Sequence, residues 1–480
     1  MSLNFSTKAK TLAAVKDLLQ DARVASLYYF DVKSWGLNSS LCLDNTFKLL
    51  GQGPFVVRSS SALEDSKITS NAGAFLSLLG VDNCNLRDSI ERVISSYESV
   101  NNSDEVLIQP MLSNVVRSGV AFSHDPNTCS PYRVVNWTDG SDTTLVTGGF
   151  GGSIWHQAAD SKVLPPQELK PILTLVEELL SLFDGEPVDC EFAVTLEGDV
   201  EVLWLLQVRP LILIRNPESS DTQAARLEII ERKVVRGMQS HPFLFGQRTV
   251  YGVMPDWNPA EIIGIRPLPL ALSLYRELIT DSIWAYQRHN YGYRNLRSFP
   301  LMPHFFGLPY IDVRVSFNSF VPADLGETLA GRLVDYYIDR LLAEPTLHDK
   351  VEFGIVFSCY TLDLPQRLEA LYQSGFSKNE LEIIANSLRK LTNRIVHSKE
   401  GLWRGDAAKI KILNSRRDKL LRESSEPLER IYWLLEDAKR YGTLPFAGLA
   451  RAGFVAVQML RSLELVGVFS QSDCDSFIRS

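Results

Sequence analysis

The chain carries Val56-Val57-Arg58-Ser59-Ser60-Ser61-Ala62-Leu63-Glu64-Asp65, a short apolar run that leads an arginine and three hydroxyls into a predicted strand-to-helix turn. The N–H groups at a helix start, the hydroxyl donors and a guanidinium fork all favour an anion, so this turn is suited to phosphate. A second interpretation fits the same letters, because Ser61 and Glu64 have the spacing of a capping box, which closes the first turn of any helix. The stretch alone leaves both interpretations open.

A second stretch, residues 188–209, reads as the two strands of a hairpin. Side chains alternate between the faces of a strand, so an odd-numbered loop centred near Gly198 places four polar side chains on one face. These are Asp189, Glu191, Gln207 and Arg209, with Asp189 roughly opposite Gln207. Oxygens of this kind suit Mg²⁺, which takes water and phosphate oxygens as its other ligands. A two-residue turn would instead separate Glu191 from Gln207, and the simpler alternative is a half-exposed hairpin whose polar side chains face water.

Length and composition are those of a globular enzyme. The chain has 480 residues, of which 45% are hydrophobic, enough for about two to four domains with cores of their own. The net charge is −8 and the basic residues are spread, so nucleic acid and acidic membranes are poor candidate partners. The six cysteines stand far apart without a C-x-x-C pair, which favours neither a zinc site nor a disulfide framework. We find no apolar core of signal-peptide length and no run of about 18 apolar residues, and expect a cytoplasmic protein that enters no membrane.

The pattern divides the chain near residue 214. Before this point short β-rich runs alternate with helical stretches, which predicts an α/β domain over residues 1–214. Residues 215–250 are assigned to a polar linker and a helix. Residues 251–480 carry apolar residues mostly at helical spacing, which predicts a mainly helical middle domain for acceptor binding or docking. The clearest predicted helices are 222–238, 323–342, 377–391, 407–421 and 428–440.

Four segments of the first half resemble, in order, the nucleotide-binding domain of the phosphoenolpyruvate synthase and pyruvate phosphate dikinase family. They are the opening stretch with Ser70-Asn71-Ala72-Gly73 after it, then Ile108-Gln109-Pro110-Met111, then residues 118–126, and then residues 189–193 with 206–210. The resemblance implies an ATP-grasp fold of two lobes that binds ATP and Mg²⁺ between them. Four ordered matches are far more specific than any one of them.

The resemblance also implies roles for single residues. Glu191 and Gln207 fall on the family's magnesium ligands, and Arg58 and Arg209 fall on arginines that bind the ATP phosphates. Lys8 falls on a lysine that contacts phosphate, although the glycines that flank it in the family are missing here. The alternative for Lys8 is an ordinary surface lysine in a first helical turn.

Four further positions complete the implied nucleotide site: Ser59, Gly73, Gln109 and Met111. Gly73 lies in a segment that resembles the family's flexible loop over the triphosphate, and the glycine-rich segment 147–152 is a second loop candidate. Gln109 and Met111 stand where the family's hinge meets adenine, so their backbone would recognise the base. The alternative for Met111 is a core residue.

The family's phosphate-carrying histidine has no counterpart in this sequence. None of the seven histidines stands in the glycine-rich Thr/Ser-Ser-His setting of the family's swivelling domain, and no repeated βα pattern of a pyruvate-binding barrel follows. We therefore expect the histidine on a domain beyond residue 480 or on another chain.

The second half resembles the capsule-biosynthesis branch of this family, whose described member is a glutamine kinase. Its aromatic, Arg, Asn and Asp residues interleave in four segments, 254–264, 281–288, 291–297 and 310–314. Such a composition suits a pocket for a small polar molecule, and equally a domain interface. The implied activity is an ATP-dependent phosphotransferase that acts through phosphohistidine on the amide of glutamine. The alternatives are a phosphoenolpyruvate synthase or rifampicin-type phosphotransferase fragment, and a non-catalytic ATP-binding interaction module.

Overall fold

A computed structural model of the chain describes residues 3–61, 76–97, 101, 103–140, 152–423 and 426–479. The chain divides into two compact units, Met1–Ile229 and Ile230–Ser480. The first unit holds two antiparallel sheets with helices, and the second is mainly helical. The mixed α/β character predicted for the first half is therefore confirmed, while the boundaries at residues 214 and 250 stay predictions.

The first unit is built from short helices and longer strands. The helices are α1 (Lys8–Val15), α2 (Val32–Leu37), α3 (Ser39–Leu50), α4 (Leu86–Ser95) and α5 (Lys170–Leu182), and α6 (Ser220–Met238) spans the boundary of the units. The strands are β1 (Tyr28–Asp31), β2 (Phe55–Ser60), β3 (Ser77–Val81), β4 (Glu105–Pro110), β5 (Val115–Phe122), β6 (Tyr132–Asp139), β7 (Ser153–Ala158), β8 (Val188–Glu197) and β9 (Val200–Pro210).

Each sheet of the first unit has its own apolar core. The smaller sheet has the order β1-β4-β2-β3 and the larger one the order β7-β6-β5-β8-β9. Helix α5 packs on the larger sheet through an apolar stripe with the spacing of a helix face, formed by Ile172, Leu175, Val176 and Leu179. The buried faces leave the ends of β2 and of the β8–β9 hairpin to carry polar side chains.

The second unit consists of helices with a few two-residue strands. The helices are α7 (Pro259–Ile262), α8 (Pro269–Tyr275), α9 (Ile283–Tyr291), α10 (Val313–Asn318), α11 (Glu327–Ala343), α12 (Val351–Gly354), α13 (Leu364–Gln373), α14 (Lys378–Val396), α15 (Leu402–Glu423), α16 (Pro427–Asp437), α17 (Leu444–Leu465) and α18 (Gln471–Arg479). The short strands are β10 (Tyr251–Gly252), β11 (His304–Phe305), β12 (Leu308–Pro309) and β13 (Ile311–Asp312). Its largest core surrounds α11, α13 and α14.

Capping chemistry explains where several of these helices begin. Ser377 and Glu380 form a complete capping box at the start of α14, with each side chain bonded to the other's backbone. Thr7 caps α1, since its hydroxyl accepts from the Lys10 N–H. A π-helical turn, Ala438–Thr443, joins α16 to α17.

One helical stretch is more apolar than we expected from the sequence, in which we found no run of about 18 apolar residues. Among the described residues, Pro427–Leu465 is long and apolar enough to cross a membrane by length and composition. Only 33% of its most apolar window is buried within the protein. Arg451, which lies within this stretch on α17, is buried and ion-paired with Glu352. A buried ion pair of this kind belongs to a protein interior.

Candidate functional site

The β8–β9 hairpin turns through two residues, so the odd-numbered loop predicted from the sequence is wrong. Glu197 pairs directly with Val200, which leaves Gly198 and Asp199 as the whole loop. Gly198 has a φ of +65°, the left-handed conformation that tight hairpin turns require and that glycine adopts without steric cost. A ladder that ran on from this turn without interruption would place the two predicted metal ligands on opposite faces.

A β-bulge brings the two predicted metal ligands back to the same face. The register shifts by one residue just after Glu191 on β8, which leaves Leu206 as the extra residue of β9. Beyond the bulge Glu191 pairs with Gln207, and Asp189 pairs with Arg209. The four polar side chains therefore share one face, although the residue opposite Asp189 is Arg209 and not Gln207.

Arg58 of β2 reaches this polar face from the other sheet. Its Nη2 donates to Glu191 Oε2 at 3.1 Å and to Gln207 Oε1 at 3.0 Å. Its Nη1 donates to the carbonyl of the bulge residue Leu206 at 2.9 Å. The guanidinium is largely buried, so its charge is only weakly screened by water. The two predicted metal ligands and a predicted phosphate-binding arginine thus meet at one point.

Asp189 and Arg209 form a second charged pair on the same face. The Arg209 Nε donates to Asp189 Oδ2 at 2.8 Å, and Nη2 lies 2.8 Å from the same oxygen. The other oxygen, Asp189 Oδ1, is buried and has no hydrogen-bond partner in the described part of the chain. Burial raises the pKa of Asp189 above its usual range, against the lowering effect of Arg209. A buried acceptor left in this state favours a further donor or cation nearby.

The donor set on this face fits Mg²⁺. Glu191 and Gln207 offer carboxylate and amide oxygens, and Mg²⁺ commonly takes one or two ligands from protein and the rest from phosphate and water. Arg58 Nη2 lies where both oxygens converge, so the position already stabilises positive charge. Within the described ranges no group of three or more His, Cys, Asp and Glu could hold a metal ion.

A different polar cluster surrounds Glu105, which is buried at the start of β4. Its Oε2 accepts from Thr7 Oγ1 at 2.5 Å and from Ser60 Oγ at 3.3 Å. Its Oε1 lies 2.6 Å from Lys10 Nζ, and this bond raises the pKa of Lys10. Ser60 Oγ in turn accepts from the Ala9 N–H at 3.0 Å. We call these residues the Glu105 cluster; they fix the first turn of α1 against the end of β2.

Lys8 lies in that same first turn of α1. Its side chain is only 3% exposed, so the alternative of an ordinary surface lysine is wrong. Burial of an ammonium is costly unless polar or anionic groups surround it. Contact of Lys8 with a nucleotide stays a prediction.

The hydroxyls of the opening stretch are buried inside the protein. Ser61 Oγ donates to Asp104 Oδ1 at 2.7 Å, and Ser60 Oγ belongs to the Glu105 cluster. Both hydroxyls thus bond the end of β2 to residues at the start of β4. This is a structural role, whereas the phosphate interpretation expected them to face an anion. Ser59 is buried one residue earlier, and its role in phosphate binding stays a prediction.

The predicted hinge residues lie at the end of β4. Gln109 is buried and its Nε2 donates to the Ala25 carbonyl at 3.4 Å. Met111 is 42% exposed, so the alternative that it is a core residue is wrong. Gly73 and the glycines of 147–151 lie outside the described residues.

His124 follows β5 and stands beside the start of β8. Its Nδ1 lies 3.0 Å from Ser123 Oγ, and that oxygen accepts from the Val188 N–H at 2.8 Å. The tautomer of the ring decides which of the two atoms, Ser123 Oγ or His124 Nδ1, donates in this contact. Burial and then the charge of Arg133 lower the pKa of His124 to about 4, so the ring is neutral near pH 7.

Comparison with known proteins gives only distant likenesses. No protein-family model matches the chain, and no curated protein matches it. Among solved structures, D-alanine–D-alanine ligase from Helicobacter pylori aligns over 43% of this chain and 54% of its own, at 18% identity and a TM-score of 0.25. L-amino acid ligase from Bacillus licheniformis aligns over 49% of this chain and 47% of its own, at 10% identity and a TM-score of 0.27.

A third solved structure is the biotin carboxylase domain of 2-oxoglutarate carboxylase from Hydrogenobacter thermophilus, determined in complex with ADP and magnesium. It aligns over 44% of this chain and 40% of its own, at 12% identity and a TM-score of 0.27. The aligned part thus spans about half the length of these proteins or less. TM-scores in this range establish neither a shared fold nor a shared activity.

Sequence reasoning missed two features that shape the site. Glu105 heads the apolar run Val106–Ile108, and a carboxylate at the start of a buried strand signals a need for partners. The bulge at Leu206 leaves no such signal, because its residue type suits a regular strand equally well.

Arginine side chains in the aromatic segments of the second unit are paired with neighbouring residues of the same unit. Arg288 is buried, and it donates to Asp256 Oδ1 at 2.8 Å and to Ser319 Oγ at 2.6 Å. Its guanidinium carbon lies 4.1 Å from the centroid of the Phe320 ring. Residues 256–258 all have positive φ, a costly conformation that the surrounding contacts must hold in place. An acceptor pocket in this region stays a prediction.

Proposed function

We propose that residues 1–214 form an ATP-grasp-type unit that binds Mg-ATP on the polar face of the β8–β9 hairpin. The observation that carries the proposal is the convergence of Arg58, Glu191 and Gln207 from two separate sheets, with both oxygens within 3.1 Å of one guanidinium nitrogen. One site then offers hard oxygen ligands for a metal and cationic donors for phosphate. The buried, half-satisfied Asp189 beside Arg209 adds to the demand for a cation or donor there.

Each residue of this site has a proposed role in handling the triphosphate. Glu191 and Gln207 would hold Mg²⁺, which when bound neutralises charge on the phosphate oxygens. Arg58 and Arg209 bind phosphate oxygens, and Lys8 assists from the first turn of α1. The remaining proposed contacts come from Ser59, Gly73, Gln109 and Met111. Phosphoryl transfer depends mainly on positioning and on stabilising charge, so such a set is sufficient for the ATP half-reaction once a nucleophile is present.

The whole activity that we propose is an ATP-dependent phosphotransferase of the phosphoenolpyruvate synthase type. In the proposed sequence a histidine of a swivelling domain receives the β-phosphate of ATP and passes it to a small acceptor; AMP is the leaving group, and water takes up the γ-phosphate as free phosphate. We propose the amide of glutamine as that acceptor, on the resemblance of the segments between residues 254 and 314 to the capsule-biosynthesis branch.

The binding step is tested by calorimetric titration with a magnesium complex of a non-hydrolysable ATP analogue. Glu191→Ala should weaken binding at least about tenfold, since it removes a charged metal ligand and leaves Arg58 without its anionic partner. The matched control is Glu197→Ala, on the same strand, where the carboxylate pairs with the exposed Arg23. Equal affinities for the two variants would contradict the proposed site.

The transfer step is tested by product analysis with glutamine and the histidine domain supplied. AMP and phosphate without ADP are expected. Nucleotide binding with no AMP formed would favour the non-catalytic interaction module, and phosphate on a drug hydroxyl would favour the rifampicin-type enzyme.

A further inference from the structure

Helix α16 presents its apolar side to solvent. Leu428, Ile431 and Tyr432 occupy one stripe of the helix and are 79%, 55% and 57% exposed. Asp437 stands on the opposite side, about 180° from Leu428 at 3.6 residues per turn, and it is buried. A helix that packs only on its own chain has the reverse arrangement, with the apolar stripe inward and charge outward.

The buried polar side is where α16 is attached to α15. Arg416 Nε donates to Asp437 Oδ1 at 2.8 Å, and the Arg416 guanidinium carbon lies 5.0 Å from the centroid of the Tyr441 ring. Both helices are described in full, and the buried residue of each is an aspartate, Asp406 in α15 and Asp437 in α16. The pair α15 and α16, which we call the arm, therefore buries a carboxylate on each helix and leaves an apolar surface of α16 outside.

The two helices of the arm carry opposite charge. Helix α15 has seven cationic and three anionic side chains, whereas α16 has three anionic and one cationic. The Arg416–Asp437 pair shows that this complementarity already joins the helices within one chain. A two-fold axis beside the arm would place α15 of one copy along α16 of the other and repeat the pairing between copies.

We propose that the arm is a self-association surface whose apolar stripe is covered by the arm of a second copy of this chain. Two arms packed antiparallel form a four-helix arrangement, in which Leu428, Ile431 and Tyr432 of both copies make an apolar centre. An apolar patch with a charged rim is the usual composition of such interfaces. This inference is independent of the nucleotide site.

A lipid surface fits the arm less well. Helices that lie on anionic membranes carry Lys and Arg beside the apolar face, but α16 carries three acidic side chains and one arginine. The rest of the apolar stretch lies in α17, where Arg451 is buried against Glu352 while Phe446 and Phe454 are 57% and 40% exposed.

Sedimentation velocity of the full chain at micromolar concentrations tests the proposal. A dimer of twice the chain mass is expected, and Ile431→Asp should weaken it at least about tenfold by placing a charge in the apolar centre. The control is Leu164→Asp, since Leu164 is also exposed but lies far from the arm in sequence, in the first unit. Thermal unfolding of the monomeric species should be unchanged in both variants, because neither side chain is buried in one copy.

A charge exchange sharpens the test. One variant carries Lys419→Glu with Arg422→Glu on α15, and the other carries Glu426→Lys with Glu429→Lys at the start of α16. Each alone should be monomeric, while an equal mixture should form a heterodimer, because opposite charges then face each other at both contacts. A monomeric wild type, a dimer that survives Ile431→Asp, or a mixture that stays monomeric would overturn the proposal. So would binding of the monomer to phosphatidylserine vesicles that Ile431→Asp abolishes.

Discussion

Two polar clusters of the first unit differ in how completely their carboxylate oxygens are paired. Both carboxylate oxygens of Glu105 have partners within the protein, on α1 and on β2. On the hairpin face, Glu191 and Gln207 share the Arg58 guanidinium, and Asp189 Oδ1 has no partner among the described residues. A cluster whose acceptors are all paired holds elements together, whereas one with a buried unpaired acceptor indicates where a ligand completes the set.

The largest effect is expected from Arg58→Ala. This change removes the cation that both metal ligands and the bulge carbonyl share, so Mg-ATP affinity should fall about a thousandfold, in line with the loss of one partner of a desolvated charge pair. Calorimetric titration measures the affinity. The control is Arg23→Ala, which removes an exposed arginine of the same unit. If both variants bind equally well, the hairpin face is structural.

The next largest effect concerns His124 and the pH dependence of stability. Its pKa falls from 6.5 to about 4 on folding, so the unfolded chain binds more protons between these values. Stability should therefore be complete above pH 6.5 and decline by about 3 kcal/mol as the pH falls to 4. Chemical denaturation across this range should show a flatter profile for His124→Gln. An unchanged slope would mean that other groups dominate acid unfolding.

A smaller change is expected from Glu105→Gln. The amide keeps the shape but loses the charge paired with Lys10 and one acceptor, which should lower the free energy of unfolding by about 2 kcal/mol. Mg-ATP affinity should change much less than in Arg58→Ala. The result would contradict the comparison if Glu105→Gln lowers Mg-ATP affinity as much as Arg58→Ala does and leaves the free energy of unfolding unchanged.

The smallest effect is expected from Met111→Ala. This side chain is exposed, so the free energy of unfolding should stay within about 0.5 kcal/mol of wild type. The base would be recognised through the backbone of this segment, so nucleotide affinity should change only a few fold. A large loss of affinity would show that the side chain itself contacts the base.

Helical periodicity predicted several helices of the fold. The expected helix over 222–238 is found as Ser220–Met238, and that over 428–440 begins as Pro427–Asp437. Periodicity could not predict which way the apolar stripe of that second helix faces, because a stripe covered by another molecule has the same spacing as one covered by its own chain.

The candidate site was only partly predictable, because a β-bulge and contacts between distant parts of the sequence shape it. The four polar residues of the hairpin were identified, but the predicted loop parity was wrong and the bulge at Leu206 compensates for it. The Glu105 cluster joins residues that are distant in sequence, such as Thr7 and Glu105, and local patterns carry no information on such contacts. Long-range pairing and a one-residue irregularity thus decide the site's geometry.

The most direct measurement is the thermal unfolding of the chain with and without Mg-ATP, for wild type, Arg209→Ala and the control Arg117→Ala. Arg117 lies in the same sheet as Arg209, is also largely buried and also pairs with an aspartate. At about a hundredfold excess over Kd, binding should add about 2.7 kcal/mol, which raises the Tm of a unit of this size by about 5 to 10 °C. The account predicts this rise in wild type and in Arg117→Ala, and none in Arg209→Ala. No rise in wild type, or an equal rise in Arg209→Ala, would contradict it.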